Sequence, residues 1–137
     1  VDVRGVVFKD GKLLMVQEKT DQCWALPGGF CEVGLSPAEN VVKEIKEESS
    51  FDVLPTKLLA VLDMNKYSHP PQPYHYYKLF IQCEIVGGNA SVGLETKAIQ
   101  FFAENELPTL STNRNTESQI KMIFEYLHNP TKAVRFD

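Results

Sequence analysis

Three glutamates, Glu44, Glu47 and Glu48, crowd the stretch Lys43-Glu44-Ile45-Lys46-Glu47-Glu48. On a helical wheel at about 100° per residue they share one flank of an apolar stripe formed by Ala38, Val41, Val42 and Ile45. Glu39, Lys43 and Lys46 take the other flank. Glu44 and Glu48 stand one turn apart at the border of the stripe. Like charges there repel by roughly a few tenths of a kcal/mol in water, and by more when partly buried. Lys43 reaches Glu39 and Glu47 but lies on the wrong side to neutralise Glu44 and Glu48. A hard divalent cation held by carboxylate oxygens would do so. The wheel alone leaves a second reading open, a solvated acidic helix face. Upstream, Gly28-Gly29 lets the backbone come close to another group, so a main-chain carbonyl could add a ligand.

The elements that must position these residues can be read on either side. Residues 1–8 and 12–19 are rich in apolar and β-branched residues, and Asp10-Gly11 between them suits a tight hairpin turn. Ser36 caps a helix, with Pro37 at its first position and Glu39 completing a capping box. That helix ends near Ser49 or Ser50. Residues 51–64, 75–86 and 97–103 read as further strands, with a turn at Gly87-Gly88-Asn89. Thr116 and Gln119 cap a last helix whose apolar stripe is Ile120, Ile123, Phe124 and Leu127. Strands interleaved with two helices imply an α/β chain with helices packed on a mixed sheet.

The segment from Gly29 to Phe51 resembles the Nudix box, G-x5-E-x7-R-E-U-x-E-E-x-G-U with U aliphatic. Gly29 takes the first glycine, residues 43–48 take the R-E-U-x-E-E core, and Phe51 takes the last apolar place. Trp24-Ala25-Leu26-Pro27-Gly28-Gly29 is similar to the usual lead-in. Three positions depart from the pattern: Leu35 for the first glutamate, Lys43 for the arginine and Ser50 for the second glycine. Lysine cannot reproduce arginine's planar fork. Ser50 in a left-handed cap would cost on the order of 1 kcal/mol. The resemblance implies a Nudix fold, an α/β/α sandwich with a central mixed β-sheet, over residues 1–137. It also implies Mg2+ as cofactor, with Mn2+ as a substitute, and Gly28, Glu44, Glu47 and Glu48 as the metal site. Glu32-Val33-Gly34, Ser36 to Asn40 and Glu104 to Ser111 look similar to a subgroup acting on ADP-ribose or CDP-choline. Some of its members carry a helical segment ahead of the catalytic domain, which would fit the opening on strand-like residues at Val1.

The implied reaction is hydrolysis of the diphosphate linkage of a nucleoside diphosphate derivative. It requires charge neutralised on the phosphate oxygens and a water presented in line, both within the reach of a magnesium ion. Glu44 and Glu48 would hold the principal ion, with Glu47 a further ligand or water-orienting base. Glu95, in Gly93-Leu94-Glu95-Thr96 just before a strand, is the candidate general base, against the reading of a solvated loop residue. Arg4 and Arg114 could grip phosphate oxygens, since guanidinium matches them in a bidentate way. Phe30, like Trp24, Tyr74, Tyr76 and Tyr77, could stack on a base, although aromatic residues on strands more often fill the core. His75 reads as a structural strand residue. A rival reading takes the changes at Leu35, Lys43 and Ser50 as signs of a nucleotide-binding or regulatory module without catalysis.

The 137 residues suit one domain with a core of its own. A formal net charge of −4 disfavours a nucleic-acid-coating face. Cys23, Cys31 and Cys83 lack the close pairing of a zinc site and read as reduced thiols. No run of apolar residues approaches a membrane span. A cytoplasmic, small-molecule enzyme, pairing as a homodimer, is the resulting expectation.

Overall fold

The computed structural model describes residues 1–137. In chain order the elements are β1 (Asp2–Val6), β2 (Phe8–Lys9), β3 (Lys12–Glu18), β4 (Trp24–Ala25), β5 (Gly28–Phe30) and α1 (Pro37–Ser49). They continue with β6 (Asp52–Asp63), β7 (Tyr77–Gly87), β8 (Thr96–Phe102), α2 (Glu117–His128) and β9 (Arg135–Phe136). Short 3-10 turns lie at Met64–Lys66 and Glu104–Glu106. No helix is long and apolar enough to cross a membrane.

The central sheet has the order β5-β1-β7-β6-β9 and is mixed. β1 runs parallel to β7 and antiparallel to β5, β6 runs antiparallel to β7, and β9 runs parallel to β6. A second, antiparallel sheet gathers β2, β4 and β8 around β3. Asp10 and Gly11 do form the hairpin turn, both with positive φ, but only Phe8 and Lys9 pair with β3. The expected hairpin of residues 1–8 with 12–19 is therefore corrected. The chain breaks at Val7, and β1 leaves for the other sheet, where all five of its residues are buried.

Side chains alternate across β1, and this divides the core in two. Val3 and Val7 join Leu14, Phe51, Ile81 and α1 residues Val41 and Ile45 in one apolar cluster. Val6 joins Leu13, Met15, Phe80 and α2 residues Ile120, Ile123 and Phe124 in the other. Each helix covers its own cluster, which is the expected three-layer α/β/α arrangement. Gly5 lets α1 seat on the sheet: a Cβ there would come within 2.5 Å of Ile45 Cδ1.

α1 begins as its sequence requires, with Ser36 and Glu39 forming a reciprocal capping box and Pro37 in the first turn. Its buried face differs from the expected stripe. Ala38 is exposed and Val42 half-buried, while Asn40 is buried. Asn40 accepts from the Glu32 amide and donates to the carbonyls of Leu35 and Ser36, so a polar side chain closes the box loop. Ser50 ends the helix in the left-handed region at φ 67°.

Candidate active site

Gly28 and Gly29 sit on the short edge strand β5, against β1. A Cβ on Gly28 would come within 1.9 Å of the Val3 carbonyl oxygen, and one on Gly29 would lie 3.1–3.2 Å from the Glu44 carboxyl atoms. Gly28 is therefore required by the close approach of β1, and Gly29 leaves room for an acidic side chain of α1. The Gly28 N–H donates to Glu48 Oε2 at 2.8 Å, which ties the helix carboxylate to the strand edge.

A cleft of about 440 Å³ opens at this edge. One wall is acidic, made by Glu18, Glu44, Glu48 and Glu95. Burial pushes the Glu48 carboxyl up to about 8, against the pull of Arg4 and with added repulsion from Glu18 and Glu44. Burial also raises Glu44, reinforced by Glu47, and raises Glu18 despite Arg114 and Arg4. Three partly desolvated carboxylates that resist ionisation mark a place short of positive charge.

The same cleft is also lined by cations. Arg4 is buried; its Nε and Nη2 donate to the two oxygens of Asp2 at 3.0 and 3.1 Å, and its Nη1 donates to the Leu26 carbonyl at 2.9 Å. Lys78 donates to Asp2 Oδ2 at 2.7 Å. Arg114 donates to Ser111 Oγ at 2.8 Å and lies 3.4 Å from Glu18 and Asp21. At the rim Phe30 is 61% exposed and meets Tyr76 edge-to-face, ring centroids 5.1 Å apart.

A divalent cation fits this chemistry. The donors are oxygens, two of them carried one helical turn apart on Glu44 and Glu48, and the raised proton affinities show negative charge in need of a partner. No three acidic, histidine or cysteine side chains converge on one point as a complete ligand set. Magnesium does not require one, because one or two carboxylates completed by water and substrate phosphates suffice.

Of the residues singled out in the sequence, Arg4, Gly28, Phe30, Glu44, Glu48, Glu95 and Arg114 all line the one cleft. Glu47 does not. It lines an adjoining recess with Glu44, Glu48 and Glu95, and it pairs with Lys43 at 2.9 Å. Lys43 also reaches Glu32 at 2.6 Å instead of the expected Glu39, and the two partners raise its pKa. Trp24 packs on the core as expected, but Tyr74 and Tyr77 are exposed, contrary to the core reading of strand aromatics. His75 is exposed and contacts Asp63, ahead of β7 instead of on it. Tyr76, one of the candidate stacking aromatics, also lines the cleft, whereas sequence reasoning missed Asp2, Glu18, Gln72, Lys78 and Asn113. The available signal was charge on the inward-facing alternation of otherwise apolar strands, Asp2 and Arg4 around Val3, and Lys78 before Leu79-Phe80-Ile81.

The loop bearing Glu95 is fastened to the end of α1. Ser91 N–H donates to the Ser49 carbonyl, Thr96 Oγ1 donates to the Glu48 carbonyl, and Ser50 Oγ donates to the Ser91 carbonyl. Gly93 packs so closely that a Cβ would lie 1.9 Å from the Glu47 carbonyl oxygen. Free carbonyls at the helix end thus hold Glu95 beside Glu44 and Glu48.

The profile of the NUDIX domain family matches residues 1–125 of this chain. A Bacillus subtilis protein provisionally named ADP-ribose pyrophosphatase YjhB is 60% identical over 136 residues, covering 99% of this chain and 65% of that protein. The chain thus spans just under two thirds of that relative's length. Among solved structures, a UDP-X diphosphatase superposes with a TM-score of 0.91 at 38% identity, over 99% of this chain and 66% of that one. An ADP-ribose pyrophosphatase from Streptococcus suis superposes with a TM-score of 0.89 at 39% identity, over 99% of this chain and 97% of that one.

Proposed function

The chain belongs to the NUDIX domain family, and from that premise we propose that it is a magnesium-dependent pyrophosphohydrolase cutting the diphosphate linkage of a nucleoside diphosphate derivative. ADP-ribose is the first candidate substrate, because the Bacillus and Streptococcus relatives carry that name. The UDP-X diphosphatase makes UDP-linked compounds the second, ahead of CDP-choline. The observation that carries the reading is the gathering of cations and desolvated carboxylates in one cleft. Desolvated carboxylates of Glu18, Glu44 and Glu48 share its lining with the cations Arg4, Lys78 and Arg114. A diphosphate with a divalent cation satisfies both.

Glu44, Glu48 and the Gly28 carbonyl would hold Mg2+, with Mn2+ able to replace it and Glu47 able to swing in from the adjoining recess. When bound, the ion supplies Lewis-acid neutralisation of charge on the phosphate oxygens. Glu95, exposed on its anchored loop, takes the proton of the attacking water as general base. Arg114 and Arg4 grip phosphate oxygens, and Phe30 offers its exposed ring to the nucleobase.

The three departures from the family box do not favour a module without catalysis. Lys43 still holds Glu47, Ser50 still closes the helix, and the loop at Leu35 is held by Asn40. The test is incubation of the folded protein with Mg2+ or Mn2+ and a panel of ADP-ribose, UDP-sugars, CDP-choline and nucleoside triphosphates. Two phosphomonoesters should appear from ADP-ribose, AMP and ribose 5-phosphate. No turnover of any member with either metal overturns the proposal.

A further inference from the structure

Lys78 is completely buried, yet it lines the cleft. The parallel register of β1 and β7 sets it beside Asp2, and its ammonium donates to Asp2 Oδ2 at 2.7 Å. That carboxylate is already engaged, since Arg4 donates to both of its oxygens. Two buried cations therefore share one buried anion, and Asp2 is the only ion-pair partner Lys78 has. Of the strongest other charges acting on the ammonium, Arg4 and Arg114 both oppose it. The ammonium stands over the Tyr76 ring, with the nitrogen 5.5 Å from the centroid.

A buried cation with half a counter-ion is costly to keep, and an apolar side chain of similar length would fill the same space on β7. The acidic wall does not relieve it. Glu18 and Glu48 act on Arg4, whereas the ammonium of Lys78 forms its ion pair with Asp2 and with neither glutamate. The missing negative charge has to arrive through the cleft.

We propose that Lys78 receives a phosphate oxygen of the substrate, with Asp2 the positioning residue that holds the ammonium and the Arg4 guanidinium at the floor of the cleft. This rests on the cleft being a diphosphate site and assigns that site a substrate-binding residue on β7. The diphosphate then spans the cleft, with the acidic wall on one side and the Asp2–Arg4–Lys78 floor on the other. A purely structural charge cluster makes the opposite forecast: its removal would lower stability and leave ligand affinity alone.

Lys78→Met keeps the length of the side chain and removes the charge. The readouts are calorimetric titration of ADP in EDTA, steady-state hydrolysis with Mg2+, and the melting temperature. Metal-free ADP affinity should fall and KM should rise about ten- to a hundredfold, the scale of a lost hydrogen bond between charged groups. kcat should fall less, and the melting temperature should not drop. Wild-type ADP affinity and KM in a folded Lys78→Met protein would overturn the assignment while leaving the hydrolase reading intact. If the unaltered protein hydrolyses nothing, the hydrolase reading fails by itself, and the ADP titrations still decide on Lys78. Lys78→Gln, which keeps a hydrogen bond to Asp2, serves if the methionine variant does not fold. On the unaltered protein, the 15N signal of the Lys78 ammonium should move as ADP is added without metal. A stationary signal overturns the proposal.

Discussion

At Glu48 the side chain is tied to the Gly28 amide, crowded by Glu18 and Glu44, and desolvated enough to hold its proton up to about 8. Glu48→Gln keeps the shape and removes the charge conflict. We predict that the variant loses about 10²-fold in kcat/KM, because a carboxylate that would hold the ion is gone, while its metal-free melting temperature holds or rises. A large fall in melting temperature would show instead that the carboxylate is structural. The other unusual group at this scale is Lys78, lowered from 10.5 to about 8, chiefly by burial and then by Arg4. Between those two pH values the unfolded chain binds a proton that the folded chain does not, so stability should rise with pH across that window. Urea midpoints in EDTA, measured for the unaltered protein and for Lys78→Met, test the sign. The difference between them should shrink from pH 8 to pH 10.5, and a constant difference would contradict the buried, depressed state of this lysine.

The elements carry the site unequally, and their legibility differs for the same reason. Everything local in α1 could be read from the chain, because Ser36, Pro37 and Glu39 form a capping box through contacts three residues apart. Ser36→Ala should therefore cost about 1 kcal/mol, visible as a lower urea midpoint, with the cleft chemistry otherwise unchanged. The Asp10-Gly11 turn was legible on the same grounds, as was Ser50 at the left-handed cap. What failed needed pairing between distant segments. Nothing local says that β1 leaves its hairpin neighbour for β7, and that register alone sets Lys78 beside Asp2. Asn40 likewise looks like a solvated helix residue until the box loop supplies its three backbone partners. Glu95 was found only as a glutamate before a strand, and its fastening to the end of α1 through Ser91, Gly93 and Thr96 came with the fold. Gly93→Ala isolates that fastening, since the added methyl cannot coexist with the Glu47 carbonyl at 1.9 Å. The loop must lift and take Glu95 with it. Hydrolysis should fall by about tenfold or more for a displaced general base, while divalent-cation affinity stays close to that of the parent.

For the molecule as a whole, the acidic wall lowers the stability of the folded chain whenever no cation is present. Glu18, Glu44 and Glu48 are all raised above their ordinary values by burial, so folding takes charge from water into a place that disfavours it. A divalent ion that binds the folded form alone should return this stability by mass action, roughly 2.7 kcal/mol at a hundred times its Kd. For a chain of 137 residues that corresponds to several degrees in Tm. Melting curves in EDTA and in increasing Mg2+ or Mn2+ should therefore climb along a saturable curve. A general ionic effect would follow ionic strength and be matched by sodium chloride, whereas a site should not be. In Glu48→Gln the climb should shrink sharply, because one of the two carboxylates one turn apart is gone, and in the Glu44→Gln, Glu48→Gln double variant it should vanish. Lys78→Met should keep the full climb, since that lysine pairs with Asp2 and with neither of those carboxylates. A cation response that survives the double variant would place the ion elsewhere on the protein and detach α1 from the chemistry assigned to it.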